Sequence, residues 1–280
     1  MGPLRALLML LSGYRGHRRD AASLLPAGVR VERDVPYGAD PAQRLDVYLP
    51  AGRQAGPVIV LVHGGAWALG DKAAPGVVVN KLAHWLPRGY AVVSVNYRLL
   101  PAANPLEQAR DLARAIALVQ QRAESWGTDA TQLVLMGHST GAHLAALLAA
   151  DAELAQLHGA APWLGTVLLD SAALDVVRTM SGPHRPLHDR AFGANRAYWE
   201  QASPLHRLRG RPAPMLLVHS SERPESADQA HRFATAVTAL HGRADVVSVP
   251  LTHAELNGQL GRDPEYTARV DGFLRSLGLP

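Results

Sequence analysis

An α/β fold with a mostly parallel eight-stranded sheet flanked by helices is predicted by three observations on this 280-residue chain. Short apolar runs of strand length alternate with longer helical segments as far as the C-terminus, the βαβ rhythm that joins parallel strands through right-handed crossovers. Hydrophobic residues make up 48% and charged residues 19%, enough for a sizeable core and incompatible with wholesale disorder. No cysteine is present, which excludes a disulfide scaffold, thiolate metal sites and a cysteine nucleophile.

Residues 1–28 form an N-terminal segment, and 29–280 read as a single domain. The segment holds the apolar stretch Ala6 to Leu11 followed by Arg15, His17, Arg18 and Arg19. That stretch is too short to span a bilayer and reads either as a packed helix or as the remnant of a leader, so cytoplasmic and exported locations both stay open. Val29 to Val35 and Arg44 to Leu49 are two strands around the turn residues Tyr37-Gly-Ala-Asp-Pro41, an antiparallel entry to the sheet. Six compact apolar runs supply the rest: Val58 to Val62, Tyr90 to Val95, Leu133 to Met136, Thr166 to Leu169, Met215 to Val218 and Val246 to Val249. Helices are expected near 75–88, 105–125, 140–151, 226–241 and 264–277. Asp111, Arg110 and Arg114 read as one solvated face of the second of these. The interval 172–212, rich in proline, histidine and arginine, breaks the rhythm and is expected as a helical or irregular excursion over the carboxyl edge of the sheet, where ligands bind in such folds.

The formal charge is +4, yet Lys72 and Lys81 are the only lysines and 26 arginines are scattered, so no polybasic tract suggests nucleic acid. No phosphate loop or dinucleotide fingerprint is present and no organic cofactor is expected. His184, His188 and Asp189 are metal-ligand types without a ligand motif, and no metal is expected.

Chemistry concentrates in two glycine motifs. Gly137-His-Ser-Thr-Gly141 sits between the strand Leu133 to Met136 and an Ala/Leu-rich helix, the context in which a sharp turn holds a serine hydroxyl clear of the sheet as a nucleophile. Its glycines permit close backbone approach, and the helix amino terminus favours developing negative charge. A tight turn with a passive serine is the plain alternative for Ser139. His63-Gly-Gly-Ala-Trp67 follows the strand Val58 to Val62. The N–H groups of Gly64, Gly65 and Thr140 are candidates for the oxyanion hole of an acyl transfer. A bulky residue at Gly65 is expected to harm turnover far more than folding. His63 is expected to fix this loop by hydrogen bonding.

With Leu45-Asp-Val-Tyr-Leu-Pro50, Gly70-Asp-Lys72, and Asn96-Tyr-Arg98 ending in Pro101 added to these motifs, the chain over residues 30–275 resembles the α/β-hydrolase superfamily. More narrowly it resembles the hormone-sensitive-lipase-like and feruloyl-esterase-like carboxylesterases, and a similar pattern occurs in arylformamidases. The resemblance implies nucleophile, acid and base in that chain order, with acid and base on late loops. It also implies a glycine and then an aspartate after the seventh strand, where this chain has His219-Ser-Ser-Glu-Arg-Pro-Glu-Ser-Ala-Asp228.

The base is expected after the last strand, and His253 is preferred on triad order over the other histidines. The resemblance implies an acid at a near-fixed distance before the next helix, and counting back from Gln229 on that interval lands on Glu222, with Asp228 and Glu225 as alternatives that also suit the first turn of that helix. Trp67, His138, Tyr198 and Trp199 are candidate pocket residues. The functions that follow are cleavage of short to medium acyl esters through an acyl-enzyme, amide hydrolysis of the arylformamidase type, or a non-catalytic hydrolase-fold binding module suggested by the missing aspartate. The expected partner is a small-molecule ester, without nucleic acid or stable membrane insertion; a homodimer stays open.

Overall fold

The computed structural model describes residue 25, residues 27–52 and residues 56–280. The apolar N-terminal stretch and its arginine cluster lie outside the described residues. Eight strands form one sheet: β1 Arg30–Pro36, β2 Arg44–Leu49, β3 Gly56–Val62, β4 Ala91–Val95, β5 Thr128–His138, β6 Gly165–Leu169, β7 Met215–Ser220 and β8 Ala244–Val249. Their spatial order is β1-β2-β4-β3-β5-β6-β7-β8. β1 and β2 are antiparallel, as their hairpin requires, β2 meets β4 antiparallel, and every pair from β4 to β8 is parallel. The expected sheet is therefore the observed one.

Strand alternation divides the core. Val58, Val60 and Val62 of β3 face one apolar layer, while Ile59 and Leu61 face the other. The first layer is covered by α2, Pro105–Trp126, and α3, Thr140–Ala150; the second by α1, Pro75–Trp85, and α11, Pro264–Ser276. Helix α2 starts where Asn104 and Glu107 form a capping box with Pro105 at the first turn, and it stops at Gly127 in a left-handed conformation. Helix α4, Ala152–Gln156, follows α3 directly, and α9, Pro224–Ala239, covers β7 and β8.

One sequence expectation changes here. Asp111 is not on a solvated face: its side chain is fully buried and accepts from Arg98 Nε at 2.7 Å and from Gln43 Nε2 at 2.7 Å. Arg110 and Arg114 do face solvent. The buried carboxylate ties α2 to the loop after β4, and helical spacing could not show it because the partners are distant in sequence. The excursion is helical, made of α5 Val176–Ser181, α6 Pro186–Phe192, α7 Arg196–Gln201 and α8 Pro204–Arg207. One further short helix, α10 His253–Gln259, follows β8, opened by a capping box of Thr252 and Glu255. Among the described residues no helix is long and apolar enough to cross a membrane.

Candidate active site

Strand register lines up the site. Val62 at the end of β3 pairs with Gly137 of β5, His138 with Leu169 at the end of β6, Leu169 with Val218 of β7, and Ser220 with Val249 at the end of β8. The residues that follow these strand ends therefore converge on one edge of the sheet, the carboxyl edge that binds ligands in open α/β folds.

Ser139 stands at that edge between β5 and α3 with φ 56° and ψ −118°, a conformation that an L residue rarely holds. The strain is fastened on both sides: its N–H donates to Leu169 O at 2.8 Å, and its carbonyl accepts from the His143 N–H at 3.1 Å. A Cβ added at Gly141 would come within 2.2 Å of Val62 O, so the close approach expected of this glycine is present. Helix α10 presents His253 at its first position, and His253 Nε2 lies 3.0 Å from Ser139 Oγ.

The acid facing His253 is Asp170, not Glu222. Asp170 Oδ2 lies 2.6 Å from His253 Nδ1. Asp170 follows β6, has no exposed side-chain surface and sits at φ 52°. Burial by itself would raise its pKa, but hydrogen bonds from His253, Ser226, Arg223 and the Ser220 N–H hold the carboxyl well below the usual range. Glu222, Glu225 and Asp228 are all exposed. Glu225 pairs with Arg223 at 3.3 Å and Asp228 with Arg178 at 3.4 Å. The count along the chain failed because β6 and β7 end side by side, Leu169 pairing with Val218, so that both following loops reach the imidazole, one through Asp170 and the other through Arg223. A signal for Asp170 was in the sequence, an acid placed directly after the apolar strand Thr166 to Leu169.

His138 is buried, its ring centroid 4.5 Å from that of His253, and its Nε2–H donates to the His253 carbonyl at 2.9 Å. Burial, reinforced by the neighbouring His253, pushes its pKa down to about 3, so it is a neutral brace for α10 and not an exposed pocket wall.

The glycine loop packs directly on the serine. A Cβ built on Gly64 would fall 2.8 Å from Ser139 Cβ. Among the described residues no turn or loop backbone hydrogen bond uses the N–H groups of Gly64, Gly65 or Thr140. Gly65 has φ +137°, and a Cβ there would meet Leu69 O at 2.1 Å, so a larger residue also strains the loop itself, a cost that the sequence did not show. His63 Nδ1–H donates to Gly64 O at 2.8 Å and the ring stacks on Tyr97, as expected of a loop-fixing residue.

Among the described residues no hydrogen bond or ring contact joins Trp67 to Ser139 or His253. Trp67 is buried; its Nε1–H donates to His143 Nδ1 at 3.1 Å and its ring meets Phe192 edge-on at 4.9 Å. Two residues with positive φ, Ala66 and Trp67, turn the indole inward to the core layer. Trp199 Nε1–H donates to Gly193 O within the excursion, and no hydrogen bond or ring contact joins it or Tyr198 to Ser139 or His253 among the described residues. His184 and Asp189 pair with each other at 2.9 Å.

A family model described as BD-FAE matches residues 45–236. The isoprenylcysteine alpha-carbonyl methylesterase ICME of Arabidopsis thaliana is 29% identical over 247 residues, covering 81% of this chain and 57% of that protein. Esterase LipQ of Mycobacterium tuberculosis is 28% identical over 257 residues, 85% of this chain and 58% of that one. Kynurenine formamidase of Salmo salar is 34% identical over 117 residues, 41% of this chain and 37% of the relative. The chain thus spans little more than half the length of the curated relatives it matches most fully. Among solved structures, esterase B from Lactobacillus rhamnosis superposes with a TM-score of 0.76 at 22% identity, covering 98% of this chain and 94% of that one. Esterase 2 of Thermogutta terrifontis gives 0.70 at 22%, covering 90% and 93%.

Proposed function

The chain belongs to the BD-FAE family and has the α/β-hydrolase fold, and from that premise we propose that it is a serine carboxylesterase for short to medium acyl chains. The observation that carries the reading is the continuous line from Ser139 Oγ to His253 Nε2 at 3.0 Å and from His253 Nδ1 to Asp170 Oδ2 at 2.6 Å. Ser139 attacks the ester carbonyl while its proton passes to His253 Nε2. Asp170 holds the Nδ1–H tautomer and stabilises the imidazolium that forms. The N–H groups of Thr140, Gly64 and Gly65 take the negative charge on the former carbonyl oxygen. His253 returns the proton to the leaving alkoxide, and the alcohol departs. Water then repeats the attack on the acyl-enzyme with the same base, releasing the acid and restoring Ser139.

Hydrolysis of p-nitrophenyl acetate, butyrate and octanoate tests the reading beside Ser139→Ala. Loss of all but background hydrolysis in the variant supports it, and a variant as active as the parent overturns it. A second reading, amide hydrolysis of an aryl formamide, is favoured by the local identity to kynurenine formamidase. It requires a catalytic efficiency on N-formyl-kynurenine at least comparable to that on phenyl esters; an ester preference of several orders of magnitude removes it. The motive for a non-catalytic module was the missing acid after β7, and Asp170 supplies a carboxylate from β6.

A further inference from the structure

Arg223 closes a triangle that the proposed triad does not need. Its Nη1 lies 2.6 Å from Asp170 Oδ2, 3.2 Å from the Asp170 carbonyl oxygen and 2.6 Å from His253 Nδ1. The guanidinium is a permanent cation that can only donate. Asp170 Oδ2 can accept from both neighbours, but His253 Nδ1 cannot donate to Asp170 and accept from Arg223 at once. With Nδ1–H pointing at Asp170, as the reaction requires, Arg223 faces the imidazole as a positive charge, balanced by the carboxylate they share and, on its outer side, by exposed Glu225 at 3.3 Å. Protonating His253 would then bring a second cation to within 2.6 Å of the first.

Resting on the triad reading above, we infer that Arg223 is a positioning residue that holds Asp170 in place and opposes protonation of His253, extending the working range of the site toward acid pH. The surroundings of His253 fit this. From β5 the ring of His138 lies tilted against it at 4.5 Å and is neutral; from β6 comes Asp170; from the β7–α9 loop come Arg223 and, on the outer side of the guanidinium, Glu225. Lys81 of α1 reaches the far end of α10 through Asn257, and Glu255 on α10 itself is turned back to Thr252. Arg223 is therefore the charged donor in contact with the imidazole on the side opposite Ser139. The same charge draws on Asp170 and weakens its support of the imidazolium, so the wider pH range comes with a lower plateau rate.

The experiment is the pH profile of kcat/KM on p-nitrophenyl butyrate for the parent, Arg223→Met and Arg223→Lys, with Asp170→Asn as a control on the underlying reading. Arg223→Met is expected to move the acid limb up by about one pH unit, and Arg223→Lys, which keeps the charge, to stay near the parent. An acid limb in Arg223→Met that superimposes on the parent overturns the inference, as does an equal shift in Arg223→Lys. Should circular dichroism show Arg223→Met unfolded, Arg223→Gln carries the test: its acid limb is expected to move up in the same direction, and an unmoved or lowered limb overturns the inference. Asp170→Asn as active as the parent instead sinks the triad reading, whereas an inactive Asp170→Asn beside an unshifted Arg223→Met removes Arg223 alone.

Discussion

The loops after β6 and β7 lie side by side at the carboxyl edge of the sheet, and both carry carboxylates within a few residues of a strand end. Asp170 is buried, held by Ser220, Arg223 and His253, and faces the imidazole. Glu222, Glu225 and Asp228 are exposed and engage surface arginines or solvent. Both loops have the residue type the chemistry needs, and they differ in burial and in what holds the side chain. A carboxylate desolvated beside its partner interacts strongly; one on the surface is screened to a fraction of that. In the β7 loop the residue that reaches the imidazole is an arginine, which reverses the electrostatic sign expected of that loop.

The largest effect expected from this contrast is at Asp170. Asp170→Asn lowers kcat by about 10⁴-fold, because the amide no longer holds the Nδ1–H tautomer. Single-turnover kinetics on a p-nitrophenyl ester reads this directly, and a loss under tenfold breaks the comparison. Next is Gly65→Ala, which sets a Cβ against Leu69 O and disturbs the donors beside Ser139. A fall of roughly 10² in kcat is expected together with a lower melting temperature; an unchanged melting temperature contradicts the steric argument.

Lys81 sharpens the comparison, being buried with no ion pair among the described residues. Its Nζ donates to Asn257 O at 2.7 Å, to Asn257 Oδ1 at 3.1 Å and to Gly76 O at 3.2 Å, fastening the helix that presents His253. Burial pushes its pKa down from 10.5 to about 7. Between pH 7 and 10.5 the unfolded chain thus binds more protons than the folded one, and this residue makes stability rise with pH across that window. Below pH 7 the cost of burying the charged form is present in full. Urea unfolding should show Lys81→Met at its best relative to the parent at pH 6 and losing that advantage by pH 10, whereas a difference independent of pH contradicts the assignment. The smallest effects belong to the exposed acids: Glu222→Gln and Asp228→Asn should stay within about twofold of the parent in kcat/KM. A loss of a hundredfold in either would return the β7 loop to the reaction.

The order of strands and helices was legible because apolar runs of strand length and capped amphipathic helices are written in local sequence. Ser139 was legible for the same reason, since a strand, a glycine turn and a helix are contiguous. His253 could be placed by chain order alone, although the helix it opens was missed. The direction of the Trp67 indole was not legible, because Ala66 and Trp67 are both left-handed and the side chain's course depends on those torsions.

By itself, then, the sequence determined what depends on neighbours along the chain: the eight strands, the turn that carries Ser139, the glycine loop and the family to which they are similar. Tertiary structure decided what depends on neighbours across the sheet. Register between β6 and β7 brings Asp170 to His253 across 83 positions and places Arg223 against both. Hydrogen-bond geometry and desolvation choose among carboxylates that composition and spacing leave equivalent, and both exist only once the strands are paired.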